Sequence, residues 1–282
     1  MQKFPILAVT KEALALPFKY PMEMAKTLGL MIAGVFGVSI LMAILVAIMG
    51  GAGMMGSGGT MMQQMEQGNF SGMGGMILIV FIVLLGVFWL IAYVFNYWVR
   101  LGAYGHDRAA LRPLSKAWGA AGVTMVKMFL ITILLVLVTL VVWYVLHLMG
   151  LVPSLADQMR MGAEGDMAHA ARGGLATNII TTVITCVVYS IFSANLTQTA
   201  LGSDKEGFEH PHTIDFAVVL MLLYAIVLIP MTLAEMSGSI VMLMLVVYVL
   251  EFYVMLAIAT AHGLRYRICV ADMPDVPETS EA

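Results

Sequence analysis

The residues of this chain best placed to do chemistry are few, and they lie inside apolar sequence. Glu251 stands about halfway along the apolar run 239–262, with Tyr248 and Met255 on the same helical face and His262 a further seven residues along. A carboxylate at the middle of a bilayer costs roughly 2.5–3.5 kcal/mol unless it is protonated or paired, and such residues commonly serve a function. Two roles fit Glu251: acceptor of a proton or cation on a transport path, or a neutral, hydrogen-bonded acid that fixes helix packing. No second carboxylate lies in an apolar run at matching depth, which favours packing.

Further polar residues line up on other runs. Asn178, Thr182, Cys186, Ser190, Ala194 and Gln198 recur every four residues with Asn195 beside them, a stripe of small and hydrogen-bonding groups. It could line a solute path, but the same residue types form the ordinary contact surface between membrane helices. Trp89, Tyr93, Asn96 and Arg100 descend one face of the second apolar run, 76–99, toward the connector that follows it, and Arg100 and Lys127 are expected to reach headgroups by their long stems. Asn96, Asn195 and Gln198 therefore join Glu251, Tyr248 and His262 as candidate intramembrane polar site residues. Gly29, Ala33 and Gly37, then Ser39, Ala43 and Ala47, read as two helix-contact faces.

Methionine supplies the other candidate chemistry. Met54, Met55, Met61, Met62 and Met65 crowd a glycine-rich stretch, and the spacing of Met61, Met62 and Met65 suits a soft-metal site, for which thioethers select Cu(I). No cysteine joins them, and methionine is plentiful in the apolar runs as well. The alternative is a deformable apolar loop at the bilayer surface, with no cofactor. Asp204, Glu206, Glu209, His210 and His212 could ligate a divalent metal or simply form a solvated turn before a helix capped by Thr213 or Asp215.

The elements that must position these groups follow from composition. Hydrophobic residues make up 61% and charged residues 11% of the 282, against roughly 45–50% and 25% in soluble domains, so the chain is built for lipid. Its net charge of −3, with basic residues confined to short connectors, excludes a nucleic-acid surface. Six apolar runs, at about 28–49, 76–99, 123–147, 178–200, 216–235 and 239–262, each approach the ~20 residues that cross a bilayer. The expected fold is all-α: a polytopic membrane bundle of six transmembrane helices arranged as three hairpins.

Connector charge orients that bundle. Eleven Lys and Arg fall in the N-terminal segment, the 100–122 and 201–215 connectors and the C-terminal segment, whereas the opposite connectors hold only Arg160 and Arg172. Positive residues are retained in the cytoplasm, so both termini are expected there. Residues 1–27 then form a cytoplasmic, interfacial lead-in, uncleaved because the following apolar run is too long for a signal peptide. Pro17 and Pro21 should break it into two pieces, with Glu12, Lys19, Glu23 and Lys26 on a common polar face. Residues 28–262 form the transmembrane domain and 263–282 an acidic tail. Glycine follows each even-numbered run, at Gly102 and Gly105, Gly202 and Gly263, which fits a threefold internal repeat or three independent helix caps.

The lead-in FPILAVTKEALALPFKYP, the exit Trp98-Val99-Arg100 followed by Gly105, and the basic connector at 100–116 are similar to bacterial six-helix membrane proteins grouped under a domain of unknown function. The resemblance spans about the first half of the chain. It implies a six-helix architecture in the bacterial inner membrane and brings no activity with it. The chain also lacks a Walker loop, a dinucleotide fingerprint, a nucleophile elbow and an HExxH motif, so an enzyme is the least favoured class. The leading expectation is a non-enzymatic accessory or assembly protein acting through lipid or membrane-protein contacts. A transporter or metal-handling protein using Glu251, the polar stripe and the outer methionines is the alternative.

Overall fold

The computed structural model describes residues 4–54, 73–109, 114–151, 167–202, 212–237 and 240–271. Among them every element is helical: α1 (Ile6–Lys19), α2 (Pro21–Met54), α3 (Met73–Tyr104), the single turn α4 (His106–Ala109), α5 (Leu114–Leu148), α6 (Met167–Leu201), α7 (Thr213–Ser237), α8 (Ile240–Leu245), a π-helical turn (Val246–Glu251) and α9 (Phe252–Ala271). Each of the first five apolar runs sits inside a longer helix. At 1.5 Å per residue, the 35-residue helices α5 and α6 are about 50 Å long, beyond a ~30 Å hydrocarbon core, so their ends extend past it.

Among the described residues, five helices are long and apolar enough to cross a membrane: α2 over Pro21–Leu41, α3 over Phe81–Tyr104, α5 over Ser115–Leu148, α6 over Asn178–Leu201 and α7 over Thr213–Ala234. This is the make-up of a multi-pass membrane protein. The sixth apolar run differs from the other five. It is divided into α8, the π turn and α9, and so is not a single regular helix.

α3 and α9 form the centre of the bundle and share its most extensive contact. They approach backbone to backbone at two glycines. A Cβ on Gly263 would lie 2.1 Å from the Val99 carbonyl oxygen, and one on Gly102 would lie 2.5 Å from that of Thr260. Gly263 is thus a packing residue inside α9, which continues to Ala271, and not a cap. By contrast, Gly105 and Gly202 have φ of +79° and +68° and do end α3 and α6. The apparent threefold motif therefore joins two caps and one helix crossing.

α1 packs against the bundle by one face and leaves the other open. Val9, Thr10, Ala13, Leu16 and Pro17 are buried as α1 packs on α9 and α7, while Leu7 and Phe18 point outward. The Tyr253 hydroxyl donates to the Leu14 carbonyl at 2.6 Å, and Arg267 pairs with Glu12 at 2.5 Å. Pro17 is accommodated near the end of α1, and the break falls at Tyr20, just before Pro21 opens α2. Glu12 and Glu23 accordingly lie on separate helices, with no common polar face.

The small-residue faces expected on α2 are not its contacts. Gly29 and Gly37 have open space where a Cβ would stand, and Ala33, Ser39 and Ala43 are exposed. Gly34 instead meets Leu90 of α3. The start of α2 is tied down by polar bonds, since Tyr97 donates to Glu23 Oε2 at 2.6 Å and Trp98 Nε1 to Thr27 Oγ1 at 3.1 Å.

The crossing gives a direct expectation. Gly263→Ala places a methyl group against backbone that cannot yield, so it should destabilise by about 1–3 kcal/mol or more, whereas Gly29→Ala should leave stability unchanged or slightly raise it through helix propensity. Thermal unfolding in mild detergent checks both; equal midpoints for the two variants would contradict the crossing.

Candidate functional site

Seven helical elements line an apolar cavity of about 790 Å³. α2 supplies Leu28, Met31, Ile32, Val35 and Phe36; α3 supplies Phe88, Ile91 and Phe95; α5 supplies Met128 and Thr132; Tyr189 comes from α6, and Leu220, Tyr224 and Val227 from α7. Val249 and Glu251 of the π turn complete the wall with Phe252, Val254, Met255 and Ile258 of α9. α2 packs on α3 and α1 and stands off from α7 and α9 across the space. Phe36 and Val249, at 64% and 60% exposure, flank its mouth from opposite sides, so the cavity opens laterally between helices.

Among the described residues Glu251 is the only charged one on this wall. It is exposed to the cavity and not sealed by neighbouring side chains, and among the described residues its carboxylate makes no hydrogen bond or ion pair. The remaining polar groups of the wall are the hydroxyls of Thr132, Tyr189 and Tyr224. Glu251 closes the π turn, in which i→i+5 bonding adds a residue to the turn and rotates what precedes it by about 100° against an unbroken α-helix. Such single π turns recur at functional sites because they re-aim a side chain without ending the helix.

The other residues expected beside Glu251 are distributed elsewhere. His262, on nearly the same face of α9, lies about 16 Å further along the axis at 1.5 Å per residue. It is fully buried between the edges of Phe95 and Phe216, with Nδ1 2.7 Å from the Ser193 hydroxyl. Phe95 also belongs to the cavity wall, so its ring separates the cavity from His262. The Ser193–His262 distance would suit a nucleophile and its base. Both residues are sealed in the core at 0% exposure, which makes the pair an interhelical tie between α6 and α9.

Asn96 is buried and accepts from Thr124 at 2.9 Å, joining α3 to α5. Asn195 is exposed and its carbonyl accepts from Thr199; Gln198 is half-buried and its carbonyl accepts from Gly202 at the α6 cap. Cys186 and Ser190, in the same stripe of α6, are buried in the bundle, the position of packing residues. None of Asn96, Asn195, Gln198 or His262 lines the cavity. Met255, four residues after Glu251, does. The Tyr248 side chain lies outside the described residues, as do the side chains of Met54, Met55, Met61, Met62 and Met65, on which the Cu(I) expectation falls. Asp204, Glu206, Glu209 and His210 are likewise outside them. Among the described residues no three His, Cys, Asp or Glu side chains gather as a metal site.

Two residues of the cavity wall and one of the core beside it carry no signal in the sequence. Tyr189 and Tyr224 were hidden among the aromatic residues of their runs, with no spacing to mark them. In sequence Arg265 is simply one of the positive charges of the C-terminal segment. It is fully buried, donating to the Ser190 carbonyl at 3.0 Å and to Thr213 Oγ1 at 3.3 Å, with its guanidinium 4.7 Å from the centre of the Phe216 ring. A guanidinium stays charged in proteins, so its planar fork and the Phe216 face together replace its lost water. Arg100 and Lys127 are also used internally, Arg100 reaching the Leu201 carbonyl at the end of α6 and Lys127 donating to Thr199 at 2.6 Å.

No protein-family model, curated protein or solved structure matches this chain.

Arg265 provides the test of this architecture. Arg265→Lys keeps the charge but cannot reach both acceptors with one ammonium, and leaving a buried acceptor unsatisfied costs about 1–3 kcal/mol. A correspondingly lower unfolding midpoint in detergent is expected for Arg265→Lys, with no change for Arg267→Lys at the exposed ion pair.

Proposed function

We propose that this is a non-enzymatic multi-pass membrane protein that holds a hydrophobic molecule, from or dissolved in the bilayer, in the cavity beside Glu251. The supporting observation is the cavity itself: about 790 Å³, walled by apolar and aromatic side chains, with one carboxylate and three hydroxyls. Ligand sites typically have volumes of ~300–1,000 Å³ and combine an apolar lining with a few placed polar groups. A mouth flanked by Phe36 and Val249 suits entry from hydrocarbon better than entry from water.

The proposed topology counts the divided run as a crossing. α8, the π turn and α9 together make the sixth passage, the basic connectors lie in the cytoplasm with both termini, and the membrane is the bacterial inner membrane. The connector charges support this orientation. Transport along the bilayer normal fits less well, because Phe95 and the packed His262–Ser193 pair close the cavity toward the α3 exit. A role in holding or presenting a lipid-like molecule, alone or to a membrane-protein partner, agrees with both the cavity and the lateral mouth.

Val35 tests the reading because it lines the cavity yet is 49% exposed, so enlarging it does not disturb the core. Native mass spectrometry of the full chain from mild detergent should detect a retained lipid or other apolar molecule, and Val35→Trp should reduce its occupancy severalfold at unchanged unfolding temperature. Equal occupancy in both proteins, or none in either, would remove the cavity from consideration.

A further inference from the structure

The wall chemistry narrows what the cavity can hold, given the reading that it binds a hydrophobic molecule at all. Among the described residues Glu251 is its one carboxylic acid, and neither Lys, Arg nor His faces the same space. An occupant with an anionic head would bring like charge beside Glu251, in surroundings where charge interactions are poorly screened and no cation offsets them. An occupant with a cation meets the opposite situation. It gives the carboxylate a partner and removes the cost of an isolated charge in hydrocarbon. The aromatic residues point the same way. Phe36, Phe88, Phe95, Tyr189, Tyr224 and Phe252 all contribute to the wall. Aromatic rings attract cations through their electron-rich faces, and the attraction strengthens where water is excluded.

We propose that the cavity selects a lipophilic cation, an apolar molecule carrying one protonated amine or quaternary ammonium group, with the Glu251 carboxylate as counter-ion and the surrounding aromatic rings as its lining. The π turn has a defined part in this. By closing on Glu251 it directs the carboxylate into the cavity while Val249, in the same turn, stays at the mouth. The site thus requires charge of one sign and a bulky apolar body, and it makes no demand for a particular hydrogen-bond pattern beyond three hydroxyls. That combination favours a class of compounds over a single molecule.

The experiment uses the full chain in lipid nanodiscs, with empty nanodiscs as the partition blank, and three probes. Tetraphenylphosphonium and tetraphenylborate share a shape and differ in the sign of their charge, and N-phenyl-1-naphthylamine is a neutral apolar reporter. The wild type should bind tetraphenylphosphonium at least tenfold more tightly than tetraphenylborate. Glu251→Gln should lose that preference through at least tenfold weaker tetraphenylphosphonium binding, with the neutral reporter bound as before, while Glu251→Asp retains part of it. If Glu251→Gln binds tetraphenylphosphonium like the wild type, cation selection is overturned and the apolar cavity stands. Failure of all three probes to bind, or binding untouched by Val35→Trp, overturns the cavity reading as well.

Discussion

Two helices touch at their backbones in the middle of this protein, and much of the rest is arranged around that contact. Gly102 of α3 and Gly263 of α9 let the chains approach until a single methyl group would collide with a carbonyl oxygen. In lipid, where burying apolar surface gains little, such close van der Waals packing is a main source of helix association. The crossing sets the positions of Val99, Trp98, Leu256 and Ala259, all buried nearby, and it brings α9 against α6 and α1.

Around this centre the bundle is held by a small number of polar ties, each joining two helices. Asn96 with Thr124, Ser193 with His262, Tyr97 with Glu23 and Arg265 with the Ser190 carbonyl link α3 to α5, α6 to α9, α3 to α2, and α9 to α6. Each satisfies a group that hydrocarbon would leave without a partner. Glu251 is the exception in kind: its carboxylate faces a space instead of a neighbouring helix. That contrast among the polar residues, more than the presence of an acid in an apolar run, is what separates a site from a packing device in this fold.

The cavity follows from how α2 is attached. α2 lies along α3, fixed at its start by Glu23 and Thr27 and further on by Gly34 against Leu90, and it keeps apart from α7 and α9. The faces of Gly29, Ala33 and Gly37, which look like contact surfaces, therefore remain open. Small residues permit close approach but do not require it. Whether they are used depends on where the partner helix has been placed by stronger constraints, here the α3–α9 crossing and the α1 helix packed beneath it.

What the sequence by itself determined is the class: a helical chain made for lipid, the six apolar runs, the helix ends at Gly105 and Gly202, and the prominence of Glu251. These are properties of composition, run length and local backbone preference, and each can be read within a window of about 20 residues. Tertiary structure alone decided which polar residues meet. Asn96, Asn195, Gln198 and His262 share the residue types of a site, yet three serve interhelical or capping bonds and one is exposed, because hydrogen-bond partners come from helices distant in sequence. It also decided that Gly263 is a crossing and not a cap, that α1 belongs to the bundle, and that the last apolar run is divided by a π turn. One added residue in a helical turn leaves no mark on hydropathy, but it changes the direction in which Glu251 points.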